Sequence, residues 1–181
     1  MIESHFWRQE LRADLSWLRR HRRFTRWSEK QQVLFERRLM LVAFQIRVLI
    51  ERPVLSERVR SAHVDAHLYP KVGDGPVTLL NATALEEHFD LDNPAAIRLS
   101  IRDLCNQLIH HYVLFALRGT HRHFETVFVF SDYKKHVGLY AIQVDQTLAL
   151  FSLFASELSA ATSVRMTWDE KRKDYSFSTE P

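Results

Sequence analysis

The sequence has few of the residues that make a chain flexible or cross-linked. Of its 181 residues, four are glycine, five are proline and one, Cys105, is cysteine. A single cysteine excludes a disulfide within the chain, so we expect a reducing compartment such as the cytoplasm. Because glycine and proline are scarce, little of the chain suits a long flexible linker, and we expect one domain over residues 1–181.

Long apolar runs are also missing. No run of about 18 apolar residues is present, and the longest candidate, residues 39–50, is interrupted by Gln45 and Arg47. The first residues, Met-Ile-Glu-Ser-His-Phe-Trp-Arg, lack the apolar core of a signal peptide. Glycine-rich phosphate loops are absent as well. We therefore expect a cytoplasmic protein that does not enter membranes, holds no metal or cofactor and does not hydrolyse nucleotides.

The charge of the chain is unevenly distributed. Residues 1–60 contain 14 basic and 7 acidic residues, whereas residues 61–181 contain 11 and 15. Most of the basic excess lies in residues 19–27, Arg-Arg-His-Arg-Arg-Phe-Thr-Arg-Trp, and its arginines are Arg19, Arg20, Arg22, Arg23 and Arg26. Arginines interleaved with aromatic rings predict a site that binds phosphates and stacks on bases. The alternative is a solvated helix end whose arginines balance the helix dipole.

Apolar residues recur at helical spacing in several segments. The second of these begins at Ser28-Glu-Lys-Gln, which reads as a capping box, and must end before Pro53. Its later half, residues 39–50, is apolar nearly all round, as in a helix that is central in a bundle or covered by a partner. The predicted helices are residues 4–20, 28–52, 81–88, 94–117 and 146–159.

Alternating apolar residues predict strands as smaller elements. These are a strand around Val64, Ala66 and Leu68, a short strand at 77–80, a hairpin of 126–130 with 137–144, and a last hairpin around Val164, Met166, Trp168, Tyr175 and Phe177. We therefore predict an α+β fold led by a helical bundle of four to five helices with small peripheral β-hairpins. Its helical core covers about 4–52 and 81–160, and its β pieces cover about 59–80, 126–144 and 164–178.

A polar row interrupts the apolar helix predicted at 94–117. Its members are Arg102, Asp103, Asn106 and His110. Polar side chains on a buried helix face are costly unless they are paired, so the row calls for a reason. Asn106 and His110 lie one turn apart and can share a hydrogen bond that fixes the imidazole tautomer, whereas Arg102 and His110 are about 12 Å apart along the helix.

An arginine, a polar residue directly after it and a histidine later on the same helix resemble the signature of HEPN domains, although the gap from Arg102 to His110 is longer than that signature has. The run Leu-Cys-Asn-Gln-Leu-Ile-His-His is also similar to a motif of uncharacterised bacterial proteins. The resemblance implies an all-α bundle, commonly dimeric. In active members, arginine and histidine from two facing helices form a metal-independent RNA-cleaving site, and other members are inactive binding modules.

Carried onto this chain, the resemblance implies that Arg102 stabilises a phosphate, that Asp103 is the polar residue after it and that His110 is the acid–base group. With Asn106 they are the candidate catalytic residues. The competing interpretation is structural, because Asp103, Asn106 and His110 can pair with the backbone or with the basic N-terminal half and lock helix against helix. Arg102 can equally pair with Glu86 or Glu87.

Two functions from different classes follow from these patterns. One is a HEPN-like RNA-binding domain or metal-independent ribonuclease, working as a homodimer. The other is a non-catalytic interaction protein that docks a partner protein through residues 39–50. A zinc site at His63 and His67 requires a helix there, because on a strand the two rings lie about 13 Å apart.

Overall fold

The computed structural model describes residues 2–24, 26–51, 55–119, 121, 123–156 and 163–180. Its helices are α1 Ile2–His21, α2 Glu29–Ile50, α3 Glu57–Arg60, α4 Leu85–His88, α5 Ile101–Ile109 and α6 Val144–Ser156. Its strands are β1 His63–Pro70, β2 Ala95–Ser100, β3 His111–Arg118, β4 Phe124–Ser131, β5 Gly138–Gln143, β6 Ser163–Asp169 and β7 Asp174–Glu180.

A five-stranded antiparallel sheet dominates the fold. Its strand order is β2-β1-β5-β4-β3, and the pair β6-β7 forms a second, separate sheet. The fold is therefore α+β, but the prediction of a helical bundle with peripheral hairpins is wrong. The hairpin predicted at 126–144 exists as β4 and β5, and it lies inside the main sheet because β5 also pairs with β1.

The largest error concerns the helix predicted at 94–117. That segment forms strand β2, the short helix α5 and strand β3. Leu99 pairs with Val64 of β1, and Phe115 pairs with Phe128 of β4. Apolar periodicity alone does not separate a buried strand from a helix, and the aromatic and β-branched residues after His110 favour a strand.

Several smaller predictions are confirmed. The Oγ of Ser28 accepts a hydrogen bond from the backbone N–H of Gln31 at 3.2 Å and caps α2, and β1 and the β6–β7 hairpin form as expected. The strand predicted at 77–80 is wrong, because the N–H of Thr78 donates to the Asn81 side chain at 2.7 Å in a turn. The predicted helix ends at Arg52 and at 157–159 lie outside the described residues.

The core lies between one face of the sheet and a layer of helices. In β1, Val64 and Ala66 point towards the helices, as strand alternation requires. Helices α1, α2, α5 and α6 contribute their apolar faces to the same cluster. Among the fully buried side chains of this layer are Leu11, Leu15, Phe35, Leu39, Ile46, Leu104, Phe151 and Phe154.

The opposite face of the sheet is covered only at one end. Phe130, Val113 and Leu139 pack there against Val77 and Phe89, which come from the segment between β1 and β2. A five-stranded sheet is thus buried fully on the helical side and partly on the other. Within the described residues, no helix is long and apolar enough to cross a bilayer.

Helix α2 contacts the unpaired edge of strand β3. β3 pairs with β4 alone and is therefore an edge strand of the sheet, and α2 packs against it. There the Glu36 carboxylate accepts a hydrogen bond from the backbone N–H of Ala116 at 2.8 Å. Unpaired edge groups can recruit foreign strands, and this contact removes one of them.

A second side chain from a helix, Gln107 of α5, pairs with a backbone N–H at the last residue of β4. Its side chain is 4% exposed, and its Oε1 accepts a hydrogen bond from the backbone N–H of Ser131 at 2.9 Å. The register between β3 and β4 shifts between His111 and Val113, next to this contact. Gln107 therefore accepts a hydrogen bond from the Ser131 N–H, which has no strand partner where the β3–β4 pairing is irregular.

We predict that Gln107→Leu destabilises the fold by about 1–3 kcal/mol, because a buried N–H loses its acceptor while side-chain volume is nearly kept. Urea unfolding followed by circular dichroism measures the change. The matched control is Gln146→Leu on the exposed face of α6, where we expect a change within about 0.5 kcal/mol. Equal unfolding midpoints for the two variants would show that the Ser131 N–H finds another partner.

Candidate functional site

Helix α5 carries the polar row across the sheet. β2 and β3 are the two edge strands, so the helix that joins them crosses the helical side from one edge to the other. Ile101, Leu104, Cys105 and Leu108 are buried beneath it. The polar row occupies the remaining face, where Arg102 and Asn106 lie against the C-terminal end of α2.

Arg47 of α2 organises that contact. Its Nε donates to Oδ1 of Asn106 at 3.1 Å, and its guanidinium also forms an ion pair with Glu51 one turn further on. Arg102 pairs with the same Glu51 carboxylate at 2.9 Å. The structure therefore gives Arg102 a partner on α2 rather than Glu86 or Glu87.

The shared carboxylate is held in its charged form. The hydrogen bond from Arg47 lowers the pKa of Glu51 most, and the charge of Arg102 lowers it further, against a smaller opposing effect of burial. Glu51 is more than half exposed, so the network is open to water on one side. Two of its contacts, Arg47 to Asn106 and Arg102 to Glu51, join residues more than fifty positions apart in sequence, which ties α2 to α5.

Asp103 has a local role at the start of α5. Its backbone N–H donates to Oγ of Ser100 at 3.1 Å, and the Ser100 hydroxyl donates to Oδ2 of Asp103 at 2.6 Å. Ser100 is therefore the N-cap of α5, and the Asp103 carboxylate holds its hydroxyl and also suits the positive end of the helix dipole. Asp103 thus lies in the first turn of α5, at the opposite end of the helix from His110.

His110 lies at the other end of α5. Its backbone N–H donates to the Asn106 carbonyl at 3.0 Å, and its exposed ring meets the ring of Tyr133 edge-on at 6.3 Å. The expected side-chain bond between Asn106 and His110 is not formed, because the Asn106 amide oxygen accepts from Arg47. The structure therefore brings Arg102 and Asn106 into one network and leaves His110 outside it.

Cys105 lies on the buried side of the same helix. Burial raises the pKa of its thiol to about 12, so the sulfur stays protonated near neutral pH. A thiolate is the reactive form of cysteine. Cys105 therefore serves packing and is not a nucleophile for the polar row.

The basic cluster forms the second candidate site. The end of α1 and the residues after it face the first turns of α6 across an open groove of about 580 Å³. The groove is lined by Arg19, Arg20, Arg22, Arg23, Asp145, Leu148 and Ala149. We call this feature the arginine groove. Arg26 is exposed and does not line it.

The arginines of the groove are anchored to different degrees. Arg22 forms an ion pair with Asp145, and Arg19 donates to the Ser152 hydroxyl. Arg20 and Arg23 are exposed and have no acidic side-chain partner within the part of the chain that the structure describes. The groove therefore carries four cations and one acid.

Arg22 experiences an unfavourable environment. Burial lowers its pKa, and the neighbouring positive charge of Arg23 lowers it further, while Glu125 opposes both. Its Nε is buried and has no hydrogen-bond partner. The backbone holds it there, because the Arg22 carbonyl accepts from the N–H of Phe124 at 2.9 Å. Asp145 pairs with one end of this guanidinium, but the Nε–H has no acceptor, and a bound anion is one group that could supply it.

The aromatic residues of the basic cluster are already engaged. Trp17 stacks on His21 with ring centroids 4.0 Å apart, and the guanidinium of Arg118 lies 4.7 Å from the ring centre of Trp27. These contacts leave the arginines, rather than free rings, as the groups available in the groove. The site is suited to phosphate more than to base stacking.

Sequence reasoning missed the partners of both sites. Arg47 and Glu51 belong to a helix that reads as apolar, and Asp145 reads as a helix cap. Their roles depend on which helices become neighbours, and no local pattern carries that information. The two arginine–carboxylate pairs, Arg102–Glu51 and Arg22–Asp145, were therefore not predictable.

Comparisons of the chain with protein-family models, curated proteins and solved structures give no match.

Within the described residues, no three histidine, cysteine or acidic side chains lie close enough together to hold a metal ion. His63 and His67 lie on strand β1, as the alternation predicts.

We predict that Arg47→Met destabilises the fold, because the loss of one guanidinium leaves the Asn106 amide oxygen without its donor and Glu51 with Arg102 as its remaining partner, while the aliphatic stem is kept. Thermal unfolding by circular dichroism measures it. Glu51 contributes stability above its ordinary pKa and loses it as the pH falls through the lowered one, so the difference between variant and wild type should shrink in acid. Lys30→Met, an exposed position on the same helix, is the control.

Equal melting temperatures for Arg47→Met, Lys30→Met and wild type at neutral pH would contradict this role. So would a difference that grows as the pH falls through the lowered pKa of Glu51, because the charged form of Glu51 is then disappearing.

Proposed function

We propose that this protein binds RNA through the arginine groove and that the phosphate backbone is the group it holds. The observation that carries the proposal is the convergence of four arginines, Arg19, Arg20, Arg22 and Arg23, on one groove that contains a single acid. Each guanidinium presents a planar set of donors that matches phosphate oxygens. Together they provide the charge that drives polynucleotide binding.

A balanced helix end explains only part of this arrangement. α1 ends at His21, and arginines in its last turn offset the negative end of its dipole. Arg22 and Arg23 directly follow the last helical residue and still lie near the negative end of the dipole, but the dipole does not account for the buried Nε of Arg22 that has no acceptor. The partly buried, incompletely bonded Arg22 is therefore better explained by an anion that binds there.

The shape of the groove favours an extended ligand. The groove is open to solvent and lined by four arginines, and Arg26, which follows them in the sequence, is exposed as well. Successive arginines along a groove track the successive phosphates of a strand, as in proteins that bind single-stranded nucleic acid without sequence preference. A free phosphate ion would need fewer cations than the four present.

The ribonuclease half of the HEPN resemblance stays a prediction. Arg102 and His110 lie at opposite ends of α5, so one phosphate can reach both only if a second copy supplies one of them. Arg102 is also paired with Glu51 and must leave that carboxylate to bind a phosphate. RNA binding through the groove does not depend on this chemistry.

We predict that Arg20→Ala/Arg23→Ala weakens binding of single-stranded RNA at least tenfold at 50 mM salt, because both arginines are exposed and available to phosphate. Fluorescence anisotropy with a labelled oligonucleotide measures it across a salt series. Each lost phosphate contact should reduce the slope of log affinity against log salt by about 0.7.

The matched control is Lys171→Ala/Arg172→Ala in the turn of the β6–β7 hairpin, which removes the same charge from another exposed site. Equal loss in both double variants would mean that net charge, not the groove, attracts RNA. Parallel titrations with DNA and polyphosphate separate a ribose preference from simple phosphate binding. RNA binding that is absent at low salt, or that does not depend on salt, overturns the proposal.

The ribonuclease hypothesis has its own test. If the polar row cleaves RNA, cleavage persists in EDTA and is lost in both Arg102→Ala and His110→Ala. His111→Ala is the control, because that ring points elsewhere and bonds the Leu108 carbonyl at 2.9 Å. RNA recovered intact after prolonged incubation with wild-type protein would leave binding as the function of the domain.

The interaction hypothesis has one observation in its favour. Most of the apolar residues at 39–50 are buried in the core of this chain, but Leu41 and Phe44 point outwards. An occupant for that exposed face is proposed below.

A further inference from the structure

The C-terminal hairpin is strongly amphipathic. β6 and β7 pair so that Trp168 lies opposite Tyr175, and their rings meet edge-to-face at 5.2 Å. Met166 lies two residues before Trp168, on the same face of the strand. Arg165, Thr167 and Asp169 alternate with them in sequence. One face of the hairpin is therefore apolar, and the other is polar.

Three side chains of the apolar face are exposed. Met166, Trp168 and Tyr175 are 63%, 46% and 53% exposed. Among the side chains that the structure describes, neither apolar cluster contains any of these three. An isolated two-stranded hairpin is marginally stable in water unless its apolar face packs on something. A surface that could cover this face should therefore exist on the protein or on its partner.

Helix α2 presents the second uncovered apolar surface. Val33, Leu41 and Phe44 lie within an arc of about 80° on the helix and are 54%, 37% and 50% exposed. The exposed Arg37 lies in the same arc between Val33 and Leu41, so its aliphatic stem forms part of the surface while its charged end reaches solvent. We call these three residues the α2 stripe. It is about 16 Å long, and the hairpin strand from residue 164 to residue 168 is about 13 Å long. A two-stranded ribbon across a helix is a standard way to bury both.

We propose that two copies of this chain form a dimer in which the hairpin of each copy covers the α2 stripe of the other. The proposal names the occupant for the partner-docking role of α2 and is independent of RNA binding in the arginine groove. Each chain carries one hairpin and one α2 stripe. In a dimer with two-fold symmetry, the same hairpin–stripe contact therefore forms twice.

The apolar area that can be buried favours this arrangement over a dimer that pairs two hairpins or two α2 stripes. A large apolar side chain at half exposure has roughly 100 Å² left to cover. One hairpin–stripe contact joins six such side chains and buries about 600 Å², so two symmetry-related contacts bury about 1,200 Å², the lower bound for stable interfaces. Two hairpins face to face, or two stripes, bury only about 600 Å² in all, which is typical of a crystal contact.

The first test is the mass of the full chain in solution. Light scattering after size exclusion should give twice the 21.4 kDa of the chain. Trp168→Asp and Phe44→Asp should each give monomers, because either change places a charge in both contacts, and Trp168→Phe should stay dimeric. Tyr133→Asp is the control, since Tyr133 is 82% exposed but lies outside both surfaces. Circular dichroism checks that each variant is folded.

The second test locates the contact. Cys105 is buried and protonated, so an introduced pair of cysteines reacts without competition. Oxidising a mixture of Phe44→Cys chains and differently tagged Trp168→Cys chains should give a disulfide-linked heterodimer. Each single variant oxidised alone should give little covalent dimer.

Three results would overturn the proposal. The first is a wild-type chain that is monomeric at 100 µM, and the second is a dimer that survives both aspartate variants. The third is a Phe44→Cys/Trp168→Cys double variant that closes its disulfide within one chain, which would mean that the hairpin covers its own stripe. RNA affinity of the monomeric variants is measured separately, so failure of the dimer and failure of the arginine groove are distinguishable.

Discussion

The burial of α2 is the constraint on which the rest of the structure depends. Its inner face holds Phe35, Leu39 and Ile46 against the sheet and the neighbouring helices. Its polar positions are then fixed in space, so that Glu36 reaches the edge of β3 and Arg47 reaches Asn106 of α5. A helix that is apolar on nearly every side can thus be a central support and still carry the polar contacts that align its neighbours.

The sequence predicted local elements better than their assembly. Ser28 and the alternation around Val64 act over a few residues, so the cap of α2 and strand β1 were predictable. The segment from 94 to 117 was not, because apolar residues on both sides of α5 fit a helix and a buried strand equally well. Its local signal was Ser100 followed by Asp103, because Ser100 is the N-cap that marks the start of α5 inside that segment.

The two candidate sites differ in how their polar groups are satisfied. In the polar row, Arg102, Asp103 and Asn106 all have protein partners, which is how a structural network is built. In the arginine groove, Arg22 is partly buried beside another cation and has an unbonded nitrogen. The sequence indicated both as candidates, but only the surroundings of each side chain distinguish a network whose side chains are all paired from one that contains an unpaired buried donor.

The place of β5 in the sheet has a consequence for how the chain acquires its fold. β5 lies between β1 and β4 in the sheet. β1 therefore pairs with a strand that is synthesised about seventy residues later. Until β5 is synthesised, β1–β2 and β3–β4 are separate ribbons, and the apolar side of each lacks its full partner. Pairings between such distant segments are slow to form, and exposed apolar strands aggregate while they wait. A nascent chain of this protein is therefore most vulnerable just before β5 leaves the ribosome.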